Sequence, residues 1–140
     1  MKNFLAGNIQ MIDRAENWER AVEIASSPLV EKNKIKQGYV DKMIENIKTL
    51  GPYIVIMPKV AMPHARPDEN VMENSLSLLK INEGVDFSEK ERVYLIFVLA
   101  ATDSSSHIDI IEQLSDLLGD EEKMAELLNS SSIENIEKII

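Results

Sequence analysis

The chain has no cysteine. That excludes disulfides, thiolate nucleophiles and cysteine-based metal sites. It also lacks any apolar run near the ~20 residues that span a bilayer, and Met1-Lys2-Asn3-Phe4-Leu5 has no secretory signal core. A cytoplasmic location is the default expectation. Positive charge is short: 15 Lys and Arg face 24 Asp and Glu, a net charge of −9. Nucleic acid and anionic membrane both require a basic surface, so neither is expected as a partner. An acidic surface suits a basic protein partner, and it also simply keeps a protein soluble. No GxGxxG or GxxxxGK[ST] loop is present to cradle a nucleotide, and no HExxH to hold zinc. Neither a cofactor nor a metal is expected.

Against these absences stands an ordinary globular composition, 44% hydrophobic and 28% charged, over 140 residues. It predicts one domain, 1–140, large enough for a real core. Asn8 to Ile12 alternates weakly, as a short strand does. Trp18, Ala21, Val22 and Ala25 fall at helical spacing behind the candidate caps Asp13 and Asn17, and Ser26-Ser27-Pro28 is expected to stop that helix. A second helix is predicted from about Tyr39 to Leu50, closed by Gly51-Pro52. Tyr53–Met57 and Ser75–Ile81 read as strands, with a turn at Asn82-Glu83-Gly84. Val93 to Ala101, the most apolar run, is expected to be a central strand buried on both faces. Helices then follow from Ser106, Asp120 and Ser131, the first and last with capping-box spacing to Asp109 and Glu134. Helices before, between and after strands predict an α/β domain, a mixed β-sheet flanked by helices on both faces.

Histidine is scarce here, with two copies. The first lies in Val60-Ala61-Met62-Pro63-His64-Ala65-Arg66-Pro67. Two prolines stiffen this segment and push the residues before them out of helical geometry. In an extended chain His64 and Arg66 share a face, setting a nucleophilic imidazole beside a cation. A lone loop histidine is usually without chemistry; the prolines and the arginine set this one apart. The pairing suits chemistry on an anion such as phosphate.

His107 sits where the apolar strand hands over to a helix, the end of an α/β sheet at which ligands collect and helix N–H groups attract phosphate. It also continues the stripe Ile111, Leu114, Leu118, so a structural role stands open beside a chemical one. A metal site with Asp103 or Asp109, and a triad using Ser104 to Ser106, are formally available. Neither has the surrounding pattern it needs. Histidine as a phosphoryl acceptor is the reading that remains. The group brings roughly −1.5 to −2 charge and three acceptor oxygens. Arg66, His107 and the serine-rich helix start at Ser106 supply partners of the required kind.

The run from Leu50 to Pro67, with Ala-Met-Pro-His-Ala-Arg-Pro at its centre, resembles the active-site signature of enzyme IIA components of the bacterial sugar phosphotransferase system. It is most similar to the mannitol/fructose superfamily and, within it, the ascorbate-type branch. Val85-Asp86-Phe87, Val93–Asp103 and Ser106-His107-Ile108 extend the likeness over nearly the whole chain. The resemblance implies a mixed sheet flanked by helices. It implies that the phosphocarrier HPr phosphorylates His64, that His64 passes the group to a cysteine of a IIB component for sugar uptake, and that His107 helps to hold it. Members often carry an arginine in the preceding helix; here that place reads Glu45-Asn46-Ile47-Lys48, which leaves Arg66 or Lys48 as the phosphate-binding cation. Two other readings stand beside this one: a regulatory, nitrogen-type phosphotransferase protein, and a binding module with inert histidines.

Overall fold

The computed structural model describes residues 1–140. In chain order they form α1 (Lys2–Leu5), β1 (Ile9–Ile12), α2 (Trp18–Glu31), α3 (Gln37–Leu50), β2 (Val55–Met57), β3 (Val60–Ala61), β4 (Ser75–Ser88), β5 (Glu91–Ala100), α4 (Ile108–Leu118), α5 (Glu121–Leu128) and α6 (Ile133–Ile139). The strands make one mixed sheet in the order β1-β4-β5-β3-β2. β1 runs parallel to β4 and β3 parallel to β5, whereas β4–β5 and β2–β3 are antiparallel. Helices cover both faces. Ala21, Val22, Ala25 and Leu29 of α2 and Tyr39, Val40, Met43 and Ile47 of α3 pack on Leu79, Ile81, Ile96 and Val98. On the other face Leu76, Leu78, Leu95 and Phe97 meet Ile110 and Leu114 of α4, Leu127 of α5 and Ile136 of α6. The mixed sheet flanked by helices, and β5 as a central strand buried on both sides, are as the apolar pattern requires. The only buried charge, Lys80 at 4% exposure, faces the second layer, and burial lowers its pKa. Its ammonium donates to the Ser130 carbonyl just beyond α5, so the buried group is not left without a hydrogen bond.

Several elements depart from the sequence pattern for identifiable reasons. α2 does not stop at Ser26-Ser27-Pro28 but runs through Pro28 to Glu31. Proline cannot donate to the carbonyl four residues back, and that carbonyl, Ile24 O, is instead served by Ser27 Oγ (2.8 Å) and Gln10 Nε2 (2.6 Å). Asn17, not Asp13, caps the helix, accepting from Arg20 N. Asn82-Glu83-Gly84 does not end a strand either. β4 continues to Ser88, and these residues form an outward irregularity where the register shifts between Lys80 and Val85, with Gly84 at φ +74°. The loop after β1 holds it, since Asp13 O accepts from Glu83 N at 2.8 Å and Asp13 Oδ1 from Asn82 Nδ2 at 3.0 Å. The β4–β5 turn falls at Glu89-Lys90. Caps shift by one residue: Ser132, not Ser131, caps α6, and His107, not Ser106, occupies the N-cap of α4. α4 buries Ile110, Leu114 and Leu117, a face rotated from the one His107 was read to extend. α3 ends as expected, at Gly51 with φ +86° and its N–H on Ile47 O.

Two parallel strands therefore finish side by side. β3 ends at Ala61 and β5 at Ala100, and Leu99 N donates to Pro63 O at 3.1 Å, which carries the ladder past β3. Each histidine follows one of these carboxyl ends, the place where open α/β sheets hold ligands.

Candidate active site

His64 stands three residues beyond β3, in a segment without regular structure that is fixed at several points. Met62 N donates to Ile54 O (2.8 Å) and Pro63 O accepts from Leu99 N. Tyr39, fully buried on α3, reaches across: its hydroxyl accepts Ala65 N–H at 3.0 Å and directs its own proton to Leu99 O (2.9 Å) and Ala65 O (3.2 Å). Burial is the main cause that pushes the Tyr39 phenol up to about 12, so it stays a neutral hinge pin. On the far side, Lys42 Nζ donates to Arg66 O (3.2 Å) and to Asp68 Oδ2 (2.8 Å). The Lys42 hydrogen bond, followed by that from Asn70 N–H, holds the Asp68 carboxyl below its usual range.

Within this frame the His64 ring is oriented. Its Nδ1 lies 2.8 Å from Met62 O. A carbonyl can only accept, so Nδ1 carries the proton and Nε2 keeps its lone pair. The Tyr53 ring stands edge-on to the imidazole, centroids 5.9 Å apart and planes at 79°.

His64 opens onto a cleft of about 360 Å³ that is also lined by His107, Arg66, Asn46, Ser104, Tyr53 and Leu50. Both histidines and Arg66 are thus brought together although His64 and His107 lie 43 positions apart in sequence. Arg66 is exposed, and it joins none of the ion pairs, which are Arg20–Glu23, Lys34–Glu73, Lys42–Asp68 and Arg92–Asp86. Its guanidinium is free for an anion. His107 Nδ1 is buried without a hydrogen-bond partner, a polar atom in want of one. Lys48 is exposed and does not line the cleft; the residues of that helix which do are Tyr39, Asn46 and Leu50. No group of three or more His, Asp or Glu stands together as a metal site would require.

Ser106 does not line the cleft. Its hydroxyl lies 2.9 Å from Asn74 Nδ2 and 3.2 Å from Thr102 Oγ1, and the hydroxyl at the cleft is that of Ser104. Asp103 makes the turn: Oδ1 accepts Ser105 N–H (2.8 Å) and Ser106 N–H (2.6 Å), and these bonds draw its pKa down to about 2. A serine run reads as one patch in sequence, but a tight turn points neighbouring hydroxyls apart. Tyr39, Tyr53 and Asn46 were not read as site residues. The available signal was a phenol and an amide on one side of α3, four and three residues from Met43.

Residues 3–140 match the family described as "Phosphoenolpyruvate-dependent sugar phosphotransferase system, EIIA 2". The mannitol-specific cryptic phosphotransferase enzyme IIA component of Escherichia coli (strain K12) is 36% identical over 98% of this chain and 94% of its own length. The solution structure of a mannitol-specific cryptic enzyme IIA from Escherichia coli superposes with a TM-score of 0.92 at 34% identity, covering 99% of this chain and 95% of that one. The ascorbate-specific EIIA component of Escherichia coli (strain K12) is 32% identical over 91% of this chain and 86% of its own. A complex of the mannitol enzyme IIA with phosphorylated enzyme IIB from Escherichia coli aligns at a TM-score of 0.81 and 25% identity, covering 96% and 94% of the two chains. The chain belongs to the type 2 enzyme IIA family of the sugar phosphotransferase system. It is a phosphotransferase component, with relatives in both the mannitol and the ascorbate branches.

Proposed function

We propose that residues 1–140 act as one cytoplasmic phosphocarrier in which Nε2 of His64 accepts a phosphoryl group from HPr and hands it to a IIB component. The observation that carries this is the Nδ1–H of His64 donated to Met62 O at 2.8 Å, which leaves the Nε2 lone pair unused on a residue that lines a cleft with His107 and Arg66. The Nε2 lone pair attacks phosphorus, the bond from phosphorus to the donor imidazole breaks, and that imidazole leaves with its electron pair. The His64 proton stays on Nδ1, so the forward step needs no general base. Charge on the phosphoryl oxygens is met by Arg66, by the ring of His107 and by the Ser104 hydroxyl, just before α4, whose first N–H groups add positive potential. Onward transfer repeats the displacement, with a cysteine thiolate of IIB attacking and His64 Nε2 leaving. The complex of a relative with phosphorylated IIB supports that partner.

Label carried from phosphoenolpyruvate through enzyme I and HPr tests the reading. The expected result is label on this chain that moves to IIB when a mannitol- or ascorbate-type IIB is added. Label that enters but reaches neither IIB would overturn the transport role.

A further inference from the structure

The turn that carries His107 has no strand beside it. β4 and β5 pair to their last rung, Ser75 with Ala100, and there the backbone ladder stops. Beyond it the chain from Thr102 to Ser106 folds back on the Asp103 carboxylate, which satisfies the N–H groups inside the turn and ties it to nothing else. One side chain makes the outside connection. Asn74, the residue before β4, accepts Thr102 N–H on Oδ1 at 2.7 Å and donates from Nδ2 to Ser106 O at 3.1 Å. Its amide thus acts as a peptide group would in the next rung, gripping the first and last residues of the turn. The hydroxyls of Thr102 (3.1 Å to Oδ1) and Ser106 (2.9 Å from Nδ2) double each grip. His107 follows Ser106 directly, occupies the N-cap of α4 with no side-chain cap bond, and has no partner for its Nδ1. No hydrogen bond from its own ring sets where it points.

We propose that Asn74 is a positioning residue for phosphoryl transfer: by holding both ends of the Thr102–Ser106 turn, it sets the His107 imidazole against His64. This rests on the phosphocarrier reading of the cleft. Asn74 touches no reacting atom; it acts through the backbone that delivers His107. The amide is required in both halves, because the Thr102 end needs an acceptor and the Ser106 end a donor. An aspartate keeps the first and sets an oxygen against the Ser106 carbonyl in place of the second.

The test is a cycle of four proteins, wild type, Asn74→Ala, His107→Ala and the double variant, with Asn74→Asp as a fifth. HPr-to-IIB transfer rates are measured after thermal unfolding has shown each to be folded. Asn74→Ala and Asn74→Asp should each slow transfer about tenfold or more, since displacement of a catalytic group by about 1 Å can cost up to about a hundredfold. The double variant should transfer as His107→Ala alone does, because a misaimed ring that is absent cannot matter further. Multiplying losses in the double variant, or full activity in Asn74→Ala, would overturn the proposal. The imidazole resonances of His107 in the unphosphorylated protein read the grip separately. They should shift in Asn74→Ala while those of His64 hold, and unmoved His107 signals would overturn it. Failure of wild type to take up phosphoryl groups would strike the functional reading, and the resonance shift would still report the grip.

Discussion

The phenol oxygen of Tyr39 lies 3.0 Å from the amide nitrogen of Ala65 and accepts its hydrogen bond, so a helix residue 26 positions upstream fixes the backbone beside His64. Tyr39→Phe keeps the ring and removes the only group that meets Ala65 N–H and Leu99 O from that side. Leaving such partners unsatisfied costs about 1–3 kcal/mol, so the variant should unfold at lower denaturant concentration and transfer phosphoryl groups more slowly. The pH dependence is more specific. The Tyr39 phenol rises from 10.0 to about 12 on folding, chiefly through burial. A raised pKa contributes stability that is complete below the unfolded value and is lost as pH climbs through the folded one. Wild type should therefore lose stability between pH 10 and 12 more steeply than Tyr39→Phe in denaturant titrations at each pH. Parallel curves would contradict this.

His107→Ala should still be phosphorylated but should transfer or hold the group poorly. Removing one preorganised donor to a developing anion costs about 10²–10³ in rate. Rapid-quench rates in both directions provide the measurement, and unchanged rates in both would exclude a role for His107.

Arg66 is exposed, so its charge is screened. Arg66→Ala should slow phosphoryl acceptance by about tenfold, the equivalent of roughly 1.5 kcal/mol for a hydrogen bond from a charged group. The deficit should shrink as salt is added, because wild type loses the benefit while the variant has none to lose. A salt-independent deficit would assign Arg66 a packing role instead.

Asp103 binds the N–H groups of Ser105 and Ser106, which lower its pKa from 3.8 to about 2. A depressed carboxyl contributes order that is present above its unfolded pKa and lost as pH falls through the folded one. Amide protection of Ser105 and Ser106 should collapse between pH 4 and 2, ahead of the β5 core. In Asp103→Ala it should be low throughout.

The sheet class, the central strand and the stiff non-helical segment that carries His64 were legible because each rests on local signals: an apolar run, proline punctuation, a scarce residue type. What stayed hidden depended on distant partners. Pro28 lies inside α2 because Gln10, on a neighbouring strand, helps to serve the Ile24 carbonyl. Asn82-Glu83-Gly84 has turn composition, yet Asp13 holds it within a long strand. β3 is two residues long and exists through pairing with β2 and β5, which no periodicity in two residues can announce. At the site, His64, Arg66 and His107 meet in one cleft, whereas Ser106 gave way to Ser104 because the Asp103 turn aims their hydroxyls apart. Tyr39 stands in the sequence only as the start of a helix, and only the fold shows where its hydroxyl ends.

The most direct measurement is intact mass after incubation with enzyme I, HPr and phosphoenolpyruvate, for wild type and His64→Ala, at neutral and acidic pH. Wild type should gain one phosphoryl-sized mass that acid removes, and His64→Ala should gain none. A variant labelled to the same extent as wild type would contradict His64 as the acceptor.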